Sequence, residues 1–279
     1  AMKKGVPEDV ARKIYGKING HYMFPESHSY AFAISAYQAA YLKCHYPLEF
    51  FVALMNNQPM GFYPLEALKE DARRHGVTFQ NPCVNRSVFT CLPAKESVLV
   101  GLHYVKDVGE ALAKTIIAER ERSGPYVSVG NLVQRTGVKH QTVESLVLAG
   151  AFDSVAPNRK VALWEAGLYQ RPTTHQMLLP MSMDQDVPQL ADFTDYERML
   201  AEYRVMGMYP RGHIMEFLRP ALPSSVLTTT EVEQAKDRAV ITVAGWPIAR
   251  QHPRGESGTT FITIEDEYGD IQLVVWPQV

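Results

Sequence analysis

The sequence predicts a mainly α chain that ends in an incomplete β-barrel. Three observations carry this. Apolar residues recur at helical spacing through most of residues 6–206. Between Val98 and Phe152, glycine turns separate short helical segments. From Ala239 onward the period changes to strand-like alternation between glycine turns.

In chain order, Val6–Ile18 reads as an amphipathic helix. Pro7 suits its first turn, Val10, Ile14 and Ile18 repeat every four, and Lys3, Lys4, Arg12, Lys13 and Lys17 make it basic. Met23–Ser29 reads as a loop, with Ser29 a cap for a helix from Tyr30 to Cys44. That helix is apolar nearly all round, which predicts burial in a larger core. Tyr46-Pro47 breaks it, and Leu48–Asn56 starts another. After a turn-rich stretch, Leu65–His75 is a helix closed by Gly76, and Val77–Val100 reads as short extended segments, VTFQ, VNRSVFTCL and SVLVG.

The stretch from Val98 to Phe152 organises the chain. Leu102 and Val105, a turn at Val108-Gly109, then Leu112, Ile116 and Ile117 describe helix, turn, helix, stopped at Gly124-Pro125. A second unit ends at Leu146–Asp153 and includes Gly150. Such a pair of helix-hairpin-helix units points turn amides and a helix N-terminus outward, where a phosphate can sit without any base being read. Lys106 and Lys114 flank the first turn. An ordinary helical hairpin is the competing reading of one turn alone; the second unit favours the paired device.

Asn158–Tyr169 is a further helix, and Gln170–Leu190 a linker with Pro172, Pro180 and Pro188. Asp195–Met206, Ile214–Leu218 and Thr228–Ala235 are helical, the last with a Thr cap and Glu231. The strands follow in AVITVAGWPIARQ, GTTFITIEDEYG and DIQLVVWPQV. Arg250, His252 and Arg254 fall at the first hairpin, where small barrels meet single strands, and Phe261 offers a stacking face. Trp246 and Trp276 are expected in the core, and Glu265-Asp266-Glu267 in a turn that repels phosphate.

The chain has 279 residues, 46% hydrophobic and 21% charged, with a net charge of −2. That excludes a strongly basic nucleic-acid wrapper. Residues 1–169 hold 19 Lys+Arg against 15 Asp+Glu; residues 170–279 hold 9 against 15. Any phosphate-binding patch is therefore expected in the first part. Cys44, Cys83 and Cys91 lack a paired framework and read as free thiols in a reducing cytoplasm. No signal peptide is read at the start, and the most apolar run, Tyr30–Leu42, is too short to span a membrane. No clustered carboxylates of the kind that hold catalytic metal ions and no phosphate-cradling loop are found, so no catalytic or metal-ligating residue is assigned.

Several stretches resemble bacterial C-family DNA polymerases, the polymerase III alpha-subunit type. GLHYVKDVGEALAKTIIAER, SGPYVSVGNLV and VESLVLAGAFDSVAPNR are similar to that family's tandem helix-hairpin-helix region. FPESHSYAFAISAYQAAYLKCHYPLEFFVALMN is similar to its fingers segment, with Met23 standing where the family has a glycine. QPMGFY, DARRHGV and PCVN resemble the error-prone branch. The order of the motifs follows the family's.

The resemblance implies a fold of fingers segment plus tandem helix-hairpin-helix, then a truncated barrel of the oligonucleotide-binding type. The expected boundaries are 1–76 (end of fingers), 77–169 (hairpins), 170–237 (linker and helical connector) and 238–279 (barrel). The implied role is gripping duplex and single-stranded DNA in the C-terminal part of an error-prone DNA polymerase. The parent would need magnesium; this segment, lacking the palm carboxylates, would hold no cofactor and be inactive alone. Ser27, His28 and Lys43 are then candidate nucleotide contacts. Gln176 and Leu179 lie in a peptide that weakly resembles those that dock into sliding clamps; accessory mutagenesis proteins are the other expected partners. Three alternatives stay open: a replicative alpha-subunit segment, a non-enzymatic DNA-binding scaffold, and a protein–protein module.

Overall fold

A computed structural model describes residues 5–17, 26–61, 63–169, 189–253 and 258–278. Gln176, Leu179 and Arg254 lie outside the described residues. The chain divides into two units, Ala1–Tyr46 and Pro47–Val279.

The first unit holds α1 (Glu8–Lys17) and α2 (Glu26–His45). α1 opens on Glu8 and Asp9, which suit the positive end of a helix, and Glu8 accepts from Arg12 one turn on at 2.9 Å. α2 corrects two expectations. It begins at Glu26, so Ser29 lies inside it and its hydroxyl donates to the Glu26 carbonyl at 2.7 Å instead of capping. None of its residues is buried, and Phe32 and Tyr37 are 61% and 72% exposed. An all-round apolar surface specifies no face, so the pattern alone cannot say what covers it.

In the second unit, α3 (Pro47–Asn56) and α4 (Leu65–Arg74) precede a small sheet of β1 (Thr78–Gln80), β2 (Leu92–Ala94) and β3 (Ser97–Leu99). β3 is central, parallel to β1 and antiparallel to β2. VNRSVFTCL, expected to be a strand, is mostly turn: the Ser87 hydroxyl accepts from the Cys83 amide and donates to the Val100 carbonyl, folding the segment back. A 3₁₀ turn at Leu102–Tyr104 leads to α5 (Glu110–Ser123), α6 (Val129–Thr136), α7 (His140–Leu148) and α8 (Arg159–Leu168). Phe51, Met55, Val98, Leu102, Ile116, Leu132, Leu146 and Phe152 form one core through all of these. Residues 47–76 thus pack with the hairpins. Cys83 and Cys91 are buried and unbridged, and burial pushes the Cys91 thiol up to about 11, so it stays protonated near neutral pH.

α9 (Asp195–Met206) opens with a full capping box, Thr194 and Glu197. α10 (Ile214–Leu218), β4 (Val226–Leu227), α11 (Thr229–Val232) and β5 (Thr242–Val243) lead to an antiparallel sheet of β6 (Trp246–Gln251), β7 (Thr260–Glu265) and β8 (Asp270–Val275). This sheet does not close into a barrel among the described residues. Trp246 and Trp276, expected inside, are 44% and 59% exposed. No described helix is long and apolar enough to cross a membrane.

The acidic run behaves unlike an exposed turn: Glu265 and Asp266 are fully buried. Asp266 accepts from the Thr229 hydroxyl (2.6 Å) and amide (2.8 Å) and from the Tyr268 and Gly269 amides. Burial alone would raise its carboxyl, but these donors hold it below the ordinary range. Arg219 clasps Asp266 and Glu267. Glu265 receives one donor from Arg74 of α4 at 2.9 Å, while its second oxygen has none. Burial therefore pushes it from 4.5 up to about 7, with Arg74 offsetting only part. A raised folded value means stability that is full below about 4.5 and is lost as pH rises through about 7. Glu265→Gln is expected to remove that part of the slope. Urea unfolding of both proteins at pH 5 and pH 8 checks this; identical slopes would refute it.

Candidate DNA-backbone interface

Two turns dominate the hairpin region, and the same pattern recurs thirty residues later. In the first, Asp107 is left-handed (φ 66°), Val108 is buried, Gly109 is the N-cap residue, and α5 begins at Glu110. In the second, Gly137 is left-handed (φ 66°), Val138 is buried, Lys139 is the N-cap residue, and α7 begins at His140. Leu102, Ala113 and Ile116 of the first copy match Leu132, Val143 and Leu146 of the second, and all six are buried. The buried valine pins each turn to the core, and the left-handed residue before it reverses the chain. The following helix then starts at the surface.

The capping chemistry separates these helices from their neighbours. Ser128, Asn158 and Thr194 cap α6, α8 and α9 with their own side chains. Gly109 and Lys139 give α5 and α7 no side-chain cap. In α7 the Thr142 amide donates back to the Lys139 carbonyl at 3.0 Å; no side chain caps the other first-turn amides of α5 and α7, at the positive end of each helix.

Lys106 and Lys139 are exposed beside these turns. Lys114 is exposed too, but its ammonium pairs with Glu110 at 2.8 Å. The arginines of this region are engaged. Arg120 donates to the Val84 and Ser87 carbonyls, at 2.9 and 3.0 Å. Arg135 donates to the Glu119 and Gly124 carbonyls and lies over the Tyr126 ring at 4.4 Å. Two arginines of this region are therefore turned to backbone carbonyls, while Lys106, Lys114 and Lys139 stay exposed.

Of the residues singled out from sequence, Lys106, Val108 and Gly109 come together at the first turn. Val108 acts through burial and not through an exposed side chain. Gly150 is elsewhere: it is buried behind α7 with φ 79°, and a Cβ there would stand 2.3 Å from Arg159 Nη2. The second turn is at Gly137–Lys139, which the sequence reading passed over. The signal was the thirty-residue recurrence of a valine flanked by glycine.

Arg250 and Phe261 do not share a surface. Arg250 registers with Ile262 and Phe261 with Gln251, so the two side chains lie on opposite faces of the sheet. His252 Nδ1 lies 3.1 Å from the Thr260 hydroxyl. Ser27 and His28 sit in the first turn of α2, with His28 against the Phe32 ring at 4.3 Å, and Lys43 lies in its last turn. No group of three or more His, Cys, Asp or Glu among the described residues could hold a metal ion.

A family model for the helix-hairpin-helix motif matches residues 76–162. Curated relatives match almost the whole chain. An error-prone DNA polymerase of Methylococcus capsulatus is 35% identical over 99% of the chain and 28% of its own length. That of Symbiobacterium thermophilum is 36% identical over 100% of the chain and 30% of its own length. That of Mycobacterium tuberculosis is 36% identical over 99% of the chain and 25% of its own length. Almost the whole chain is similar to one part of these error-prone DNA polymerases. It spans less than a third of the length of these relatives. The hairpin pair lies within the matched motif. The error-prone branch expected from DARRHGV and PCVN is the branch these relatives represent.

Proposed function

We propose that this chain grips the sugar–phosphate backbone of duplex DNA, without reading sequence, for a DNA-directed DNA polymerase that copies damaged template. The observation that carries this is the pair of uncapped helix N-termini, each behind a left-handed turn residue and a buried valine. Amide N–H groups so placed donate to a phosphate oxygen of any nucleotide. The parent reaction would join deoxynucleoside triphosphates to a primer with magnesium as the metal. The described residues lack a carboxylate set for that ion, so no step of the transfer is assigned to them.

The test is binding of the 279-residue chain to a fluorescent primer–template duplex over a range of salt. Binding is expected to be weak, indifferent to sequence and steeply salt-dependent, with slope about −0.9 per phosphate contacted. Lys106→Ala with Lys139→Ala is expected to flatten that slope by nearly two contacts. Lys114→Ala, whose ammonium already has a partner, is expected to change it much less. A folded chain that shows no binding at low salt would overturn this reading.

A further inference from the structure

Beside the first turn lies a cleft of about 620 Å³, walled by Lys106–Gly109 on one side and the end of α9, Tyr203–Gly207, on the other. The Lys106 amide donates to the Val205 carbonyl at 2.8 Å, which fastens the turn to α9. Arg204 lines this cleft and is exposed. Among the described residues its guanidinium has no hydrogen-bond or ion-pair partner, and neither has the Lys106 ammonium. Neighbouring arginines differ. Arg198 is held by Asp192, Arg211 by Glu202 and Arg219 by Glu267. A loose guanidinium and a loose ammonium thus line one opening, together with the turn that leads into α5.

We propose that Arg204 reaches from α9 to hold a backbone phosphate of the duplex together with Lys106 and the first turn. The inference rests on the hairpin reading above and extends the interface to a helix outside the helix-hairpin-helix motif. Arginine suits the task because its planar fork meets a phosphate with two parallel donors. Two groups oppose an anion here. Asp107 borders the cleft, with its carboxylate 3.4 Å from the Ser145 hydroxyl. The carbonyl end of α9 is negative, and a cation in its last turn has a structural use of its own. The two cations outnumber Asp107, and the purely structural use predicts a different experimental result.

The experiment is the same salt titration, with Arg204→Ala, Arg204→Lys and, as control, Arg238→Ala, an exposed arginine that does not line the cleft. Arg204→Ala is expected to weaken binding about threefold to fivefold at moderate salt and to lower the slope by about 0.9, one phosphate. Arg204→Lys is expected to keep the slope but not the full affinity, and Arg238→Ala to change neither. Loss of a merely structural cation would lower the melting temperature and leave the slope alone. If Arg204→Ala keeps the parent slope while Lys106→Ala with Lys139→Ala loses it, the proposal fails and the hairpin reading stands. If the unaltered chain does not bind, both fail.

Discussion

Arg159→Ala is expected to destabilise the second unit by about 3–5 kcal/mol, the usual result of breaking a buried ion pair from one side. Arg159 is 1% exposed. Its Nε and Nη2 donate to the two Asp153 oxygens at 2.8 and 2.7 Å. Nη2 also reaches Glu202 of α9 at 2.8 Å, and Nη1 the Leu148 carbonyl at 3.2 Å. The guanidinium thus ties the end of α7, the start of α8 and the middle of α9 together, in the space that Gly150 leaves by having no side chain. Its removal strands the fully buried Glu202, with Arg211 as its remaining partner, and leaves the Leu148 carbonyl without this donor. At this size, the melting temperature should fall by about 10 °C. Arg159→Met combined with Asp153→Asn and Glu202→Gln should recover much of the loss, since no charge is then left buried alone. A change under about 1 kcal/mol in Arg159→Ala, measured by urea unfolding, would show that the network contributes little.

Lys69→Met should have an effect of similar size for the same physical reason at another joint. Lys69 has no exposed surface, and its ammonium donates to Glu66 at 2.7 Å, to Glu70, and to the Gly212 carbonyl at 2.7 Å. Glu66 in turn accepts from the Tyr209 amide at 3.0 Å. Burial raises the Glu66 carboxyl even with Lys69 beside it, so without the lysine it should take up a proton more readily. The predicted result is a loss of about 3–5 kcal/mol near neutral pH. The loss should shrink as pH falls and Glu66 is neutralised. Denaturant midpoints at pH 5 and pH 8 would show this; a loss that does not depend on pH would mean that packing, not charge, is what Lys69 supplies.

Local signals in the sequence were good guides to local structure. The four-residue repeat of α1, Gly76 after α4, the Thr228–Glu231 box of α11 and the alternation of β6–β8 each report on neighbours a few positions away. What the sequence did not show was what lies across from each element. α2 has the composition of a buried helix, yet its surface is open among the described residues. The segment before the first turn has helical spacing but forms only a three-residue 3₁₀ turn, Leu102–Tyr104, before the chain turns at Asp107. The acidic run 265–267 looked like a solvated turn because its partners, Arg74, Arg219 and Thr229, are far away in sequence. The interface was half legible. Lys106 and Gly109 stood out beside a recognisable turn, whereas the second turn was obscured by the more conspicuous LAGAFD segment. Arg204 carries no motif at all; only the folded chain brings it beside Lys106.

The arginines that staple carbonyls, Arg120 and Arg135, have a bearing on how DNA would travel across this surface. With those charges turned inward, a duplex would meet mainly amides, the exposed lysine ammonium groups and Arg204. An amide turn fits each successive phosphate equally well. Advancing the duplex by one nucleotide, with its screw rotation, would exchange one phosphate for the next at the same two turns. The free-energy profile along the DNA would be a shallow ripple, suited to a hold that persists while its cargo is threaded through it.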